Sequence, residues 1–176
     1  MTIRNFKDKS PDIHHTAYID DSAVIIGDVT IGEDSSIWPM TVIRGDIEKI
    51  RIGKMTNIQD GSILHVTHDS EYSPGGFACT VGDYVTVGHR VTVHACTVGN
   101  YCLLGMSATI MDGAVIEDKV IVGAGSLVPT GKTLESGYLY VGSPVKRVRE
   151  LNEKELEFLE YSAKNYSKLK DEHKNT

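Results

Sequence analysis

Every sixth residue along most of this chain is aliphatic. Stepping from Ile19 gives Ile25, Ile31, Ile37 and Ile43; after a three-residue slip the series resumes at Ile52, Ile58 and Leu64. A longer interruption precedes Val81, Val87 and Val93, and a one-residue deletion leads into Val98, Leu104, Ile110, Ile116, Val122 and Val128. Two residues before these seventeen positions the side chains are mostly small, from Ala17 and Ala23 through Cys79, Cys96 and Cys102 to Ser126; only Ile50 is large. Residues two apart on a strand share a face, so each unit points one large and one small side chain inward and then turns. No helix has this period, and a hairpin sheet would need longer strands and paired turns. Short strands with a turn every six residues describe a parallel β-helix. Glycine follows the aliphatic residue at Gly32, Gly53, Gly82, Gly88, Gly99, Gly105 and Gly123, where a bend would need it.

The repeat resembles the left-handed parallel β-helix of hexapeptide-repeat proteins, an all-β solenoid shaped as a triangular prism with three units per coil. That handedness is an exception to the usual crossover rule. Seventeen units would make nearly six coils in a single domain over residues 1–176, with the β-helix spanning about 13–145. Insertions can only go outward, so 66–77, with Ser73-Pro74-Gly75-Gly76, reads as an exposed loop. The repeat fades after Val128, and Gly142-Ser143-Pro144 marks a turn. Asn152 and Glu155 then form a capping-box start. Leu156, Leu159, Ala163, Tyr166 and Leu169 follow helical spacing, giving a C-terminal helix over about 152–170, with 170–176 read as fraying. This helix would lie along the prism or cross to a neighbour. All three cysteines fall in the small inward slot and read as core fillers.

Charge narrows the function. Against 24 Asp and Glu stand 18 Lys and Arg, a net −6 with no basic patch, which argues against a nucleic-acid partner. No segment approaches membrane-spanning length, and the first ten residues lack a signal-peptide core. An odd cysteine count without CxxC spacing suits a reducing compartment, so a cytoplasmic protein is the expectation.

Counting within repeats places the polar residues. His65 follows Leu64 and His94 follows Val93, three units apart, so they share one slot in successive coils. Coils stack at about 4.8 Å, a spacing from which two imidazoles can reach one zinc at about 2.0–2.1 Å. Arg44 belongs to the same column. His89 sits on the preceding face, and three units earlier its slot is Asp60, beside Gln59. A third ligand for the pair would then come most simply from His89 of a neighbouring chain, in a three-fold arrangement. Arg44 and Asp46 read as an ion pair, Trp38 as packing, and His14, His15 and His173 as solvated. His68 on the loop is a candidate proton shuttle.

Arg44-Gly45-Asp46, Asn57-Ile58-Gln59-Asp60-Gly61, His65 and Gly88-His89-x4-His94 resemble the γ-class carbonic anhydrases, and more narrowly a bacterial γ-carbonic-anhydrase-like subgroup. The resemblance covers nearly the whole chain. It implies a homotrimer with Zn2+, or Fe2+, held between subunits by His65 and His94 of one chain and His89 of the next. It implies that Arg44 and Asp46 pair across the interface, that Gln59 orients water or bicarbonate, and that Asp60 supports the adjacent ligand. It also implies a helix tyrosine in the site, Tyr161 first and Tyr166 second. The implied reaction is reversible hydration of CO2. Ile47 stands where the family archetype has glutamate, and the short loop offers only His68, Asp69 and Glu71 as ionisable groups. The resemblance therefore reaches the metal ligands more fully than the proton-transfer residues. Three other readings remain open: a metal-dependent thioester or acyl hydrolase, a hexapeptide acyltransferase, and a metal-bound trimeric scaffold without turnover.

Overall fold

A computed structural model describes residues 2–174. The chain winds as a left-handed parallel β-solenoid whose strands stack in three columns. The first column holds Thr2–Arg4, the opening parts of Val24–Ile31 and Val42–Ile52, then Ile63–His65, Thr92–His94, Thr109–Ile110 and Leu127–Val128. The second holds Asp12–Ile13, the closing parts of the same two long strands, then Cys79–Val81, Thr97–Val98, Val115–Ile116 and Thr133–Leu134. The third runs through Tyr18–Ile19, Ser36–Ile37, Asn57–Ile58, Thr86–Val87, Leu103–Leu104, Ile121–Val122 and Tyr138–Gly142.

The six-residue series is the core. Ile25, Ile43, Leu64, Val93, Ile110 and Val128 stack down the first face, each sealed from solvent. The solenoid is longer than the sequence count. Ile13 pairs with Ile31 ahead of the first counted unit, and the six-step series continues past Val128 to buried Leu134 and Tyr140. Cys79, Cys96 and Cys102 are free and buried, and desolvation pushes the Cys102 thiol up to about 12.

The glycines after the aliphatic residue have a different role from the one their position suggested. None of them has positive φ. The left-handed corner falls three residues after the aliphatic residue and is taken mostly by other types, including Asp34, Met40, Tyr84, Arg90, Tyr101 and Ser107. What the glycines supply is room: a Cβ on Gly105 would lie 2.5 Å from the Ala124 nitrogen, in the backbone of the next coil.

The 66–77 insertion is a narrow finger rather than an open loop. Val66 is buried, and Thr67–Phe77 and Ser70–Ser73 bridges close the finger behind an exposed Tyr72. After the turn at 142–144 comes a strand that the period did not reveal, Val145–Glu150, antiparallel to Tyr138–Gly142. A helix, α1, spans Glu153–Lys174. Asn152 Oδ1 accepts the Glu155 N–H, and Glu155 returns the bond to the Asn152 N–H, each at 3.0 Å.

Helix α1 lies along its own prism over the third face. Ser162 meets Thr86 at 2.9 Å near its middle, and at its end Lys174 Nζ donates to Thr16 carbonyl oxygen at 2.7 Å. Leu159 and Ala163 are buried under it, but Leu156 is exposed. The helix does not end at Lys170. That lysine is buried along its stem and reaches Asp34 and Asp171, which ties down the segment read as fraying. His173, read as solvated, packs edge-on to Trp38 at 5.0 Å. Of the fraying expectation, residues 175 and 176 lie outside the described residues. Among the described residues no helix is long and apolar enough to cross a membrane.

Candidate metal centre

The parallel ladder pairs His94 with His65 directly. Both follow a buried aliphatic residue, so both point outward from the first face, and their rings stand 5.2 Å apart. His65 Nδ1 and His94 Nε2 face each other at 3.1 Å. The nitrogens on the far side of each ring are taken by carboxylates. His94 Nδ1 donates to Asp112 Oδ1 at 2.7 Å, and His65 Nε2 donates to Asp46 Oδ1 at 3.3 Å.

Both carboxylates are held ionised. Burial pushes Asp112 up, but hydrogen bonds from Thr67 and His94 outweigh it and the net shift is downward. Burial likewise raises Asp46, and the Arg44 hydrogen bond and charge bring it below its ordinary value. An ionised carboxylate can only accept, so the outer ring nitrogens carry the protons and the inner ones carry lone pairs. Two lone pairs at 3.1 Å repel unless a cation lies between them. Burial, with the Arg44 charge, holds His65 below its ordinary value, and Asp46 offsets this only in part. Two nitrogens on one tetrahedral zinc at 2.0–2.1 Å would be about 3.3 Å apart, close to what this pair presents.

His89 does not join them. Among the described residues no three His, Cys, Asp or Glu side chains gather to hold a metal. His89 sits at the corner leaving the third face, half-exposed, its Nδ1 donating to Asp60 Oδ2 at 2.9 Å. Its Nε2 is left free. Each of the three histidines thus has its own carboxylate, the usual arrangement around ligating imidazoles. Arg44 and Asp46, for which pairing across an interface was implied, pair within the chain.

Gln59 is buried and its Nε2 donates to Asn57 Oδ1 at 3.0 Å, which fixes its carbonyl as the presented end. Asn57 leans on Thr86, and Thr86 on Ser162, so helix α1 braces Gln59. A mostly apolar groove of about 450 Å³ opens between the helix and the third face, with Gln59, His89, Met106, Phe158, Ser162 and Tyr166 among its walls. Tyr166, not Tyr161, lines it. Tyr161 is 63% exposed beside Phe158, whereas half-buried Tyr166 packs on Trp38 and lines the groove with Gln59. On the finger, Asp69 is engaged by the Gly75 N–H, and His68 and Glu71 are exposed. Sequence reasoning missed Asp112 and Thr67. The signal for Asp112 was there: it follows Ile110 by two, one coil beyond His94.

Comparison with known proteins gives the family. A family described as bacterial transferase hexapeptide (six repeats) matches residues 10–45 and 95–130. Protein YrdA of Escherichia coli is 56% identical over 97% of this chain and 93% of its own length. Gamma carbonic anhydrase 2, mitochondrial, of Arabidopsis thaliana is 42% identical over 98% of this chain and 62% of its own length. The crystal structure of a hexapeptide transferase family protein from Anaplasma phagocytophilum superposes with a TM-score of 0.89 at 40% identity, covering 97% of this chain and 96% of that one.

Proposed function

The chain belongs to the γ-carbonic-anhydrase-like hexapeptide-repeat proteins, and from that premise we propose that it is a trimeric, zinc-dependent enzyme hydrating CO2 to bicarbonate. The observation that carries the reading is the His65–His94 pair, whose inner nitrogens face each other at 3.1 Å while carboxylates occupy the outer ones. His65 and His94 of one copy and His89 of the next would hold the metal; ferrous iron suits the same donors. Three neutral imidazoles would leave a bound ion its double charge, and the chemistry it would supply is Lewis acidity, which in carbonic anhydrases brings the pKa of water to about 7.

The chain's own residues do the rest. Gln59 presents its carbonyl as a fixed acceptor that orients water or bicarbonate, and Tyr166 supports it. Arg44 places a cation beside the pair, where bicarbonate is an anion. Asp60 aims His89 outward to a neighbour. Exposed Met40, Ile63 and Met106 lie around these histidines, and Met106 occupies the His89 slot one coil further on, which supports burial of this corner against another copy. A proton must leave each cycle, and His68 on the finger is the candidate carrier.

A second reading has one observation in its favour. A largely apolar groove of about 450 Å³ beside His89 is far larger than CO2 needs and suits an acyl chain. Stopped-flow CO2 hydration on zinc-loaded and anaerobic ferrous protein, with His94→Ala as control, tests the first reading. Activity lost in the variant supports it. No hydration by fully metallated protein, alongside thioester hydrolysis that needs His94, would replace it with the second.

A further inference from the structure

Asp112 is the carboxylate most firmly built into the centre. Asp46 stands 3.3 Å from His65 and is shared with Arg44, and Asp60 is half-exposed. Asp112 instead accepts from His94 Nδ1 at 2.7 Å on one oxygen and from the Thr67 hydroxyl on the other. Thr67 is the root of the finger. Its N–H donates to the Phe77 carbonyl at 3.0 Å, and its own carbonyl accepts the Phe77 N–H at 2.9 Å. The Phe77 ring lies against Gly113, the residue after Asp112. The carboxylate is therefore clamped between a metal-ligand candidate and the closed base of an insertion.

We propose that Asp112, braced by Thr67, is a positioning residue that locks His94 in its Nδ1–H tautomer and aims the Nε2 lone pair at the cation. Through this chain the finger root sets the affinity of the centre. The proposal rests on the metal-centre reading. An imidazole without such a partner exchanges tautomers and turns about its last side-chain bond, so part of the population presents the wrong nitrogen. Loss of an outer-shell carboxylate of this kind weakens metal binding about 10–100-fold. Thr67 acts one step further out, by denying Asp112 a second orientation.

The test uses the purified full chain as wild type, Asp112→Ala, Thr67→Val and Thr67→Ser. Zinc affinity is read by competition with a chromogenic chelator, and the His94 tautomer by ring nitrogen chemical shifts in metal-free protein. Asp112→Ala is expected to weaken zinc about 10–100-fold and to mix the tautomers. Thr67→Val moves both readouts the same way by less, and Thr67→Ser, which keeps the hydroxyl, returns them to wild type. The rescue separates positioning from a packing role. If Asp112→Ala does not fold, the two Thr67 variants, which leave the carboxylate in place, carry the test. Zinc affinity within about twofold of wild type in Asp112→Ala and Thr67→Val, or an unchanged tautomer, overturns the proposal. Wild-type protein that takes up no zinc overturns the metal centre itself, a separate result.

Discussion

Two variants that each remove a different ligand test whether the site is divided between copies. His89→Ala keeps the His65–His94 pair and loses the outlying imidazole. His94→Ala keeps His89 and breaks the pair. In a closed ring of three, every site takes its pair from one copy and His89 from the next. Mix the two variants one to one, unfold and refold them together. A site is whole only where the pair comes from a His89→Ala copy and the third ligand from a His94→Ala copy. Each condition is met half the time, so random assembly restores about one quarter of wild-type sites, while either variant alone restores none. Were all three ligands drawn from one chain, the mixture would also restore none. The divided arrangement is the proposed one: His89 is tied to Asp60 at a different corner, at 2.9 Å, and among the described residues it makes no three-ligand cluster with the pair. Zinc per protomer after dialysis against a competing chelator is the primary readout and CO2 hydration the second. Native mass spectrometry confirms that trimers are mixed. Mixed trimers holding no more zinc than either parent would refute the reasoning.

Three further outcomes follow from the fold. Lys170→Ala removes a stem that is 2% exposed and an ion pair with Asp34 at 3.2 Å; because both acids are open to solvent, the loss is about 1–2 kcal/mol by thermal unfolding, and Lys170→Met, which keeps the stem, loses less. Gly105→Ala drives a Cβ to 2.5 Å from the Ala124 nitrogen, a backbone atom that cannot rotate aside, and denaturant unfolding should show about 1–3 kcal/mol of destabilisation. Glu155 is held at about 2, against an ordinary 4.5, first by the Arg149 hydrogen bond and then by the Asn152 N–H. Its lowered value means its support of the start of α1 is complete above pH 4.5 and is lost as pH falls through about 2; Glu155→Gln should abolish that part of the acid transition seen by circular dichroism.

The prism was legible because its physics repeats. One large inward residue per six positions defines each strand, and register counting then defines columns without coordinates. The misreadings come where the period is broken or shared. Leu134 and Tyr140 continue the six-step series, but the aromatic at 140 and the polar run before it hid the last coil. Val145–Glu150 carries no inward period, since only Val145 is buried at its head; it forms because a hairpin turn delivers it to an open sheet edge. The glycines were assigned to bends by habit of residue type, when their actual constraint is the distance between coils. That distance cannot be seen in one coil's sequence.

The same distinction explains why the candidate metal ligands are better defined than the chemistry proposed for them. His65, His94 and His89 stand at fixed offsets from core residues, and so do two of their carboxylates: Asp60 shares the His89 slot three units earlier, and Asp112 follows the core residue that pairs with Val93. The repeating backbone places all five at set offsets from the core. The proposed proton carrier, His68, sits instead on the finger, which lies outside the repeat. The finger's polar tie to the centre among the described residues is the Thr67 hydroxyl on Asp112. His68 comes next in the chain and is exposed. Substitutions at His68 should therefore alter turnover and leave zinc affinity alone, whereas substitutions at Thr67 should alter both.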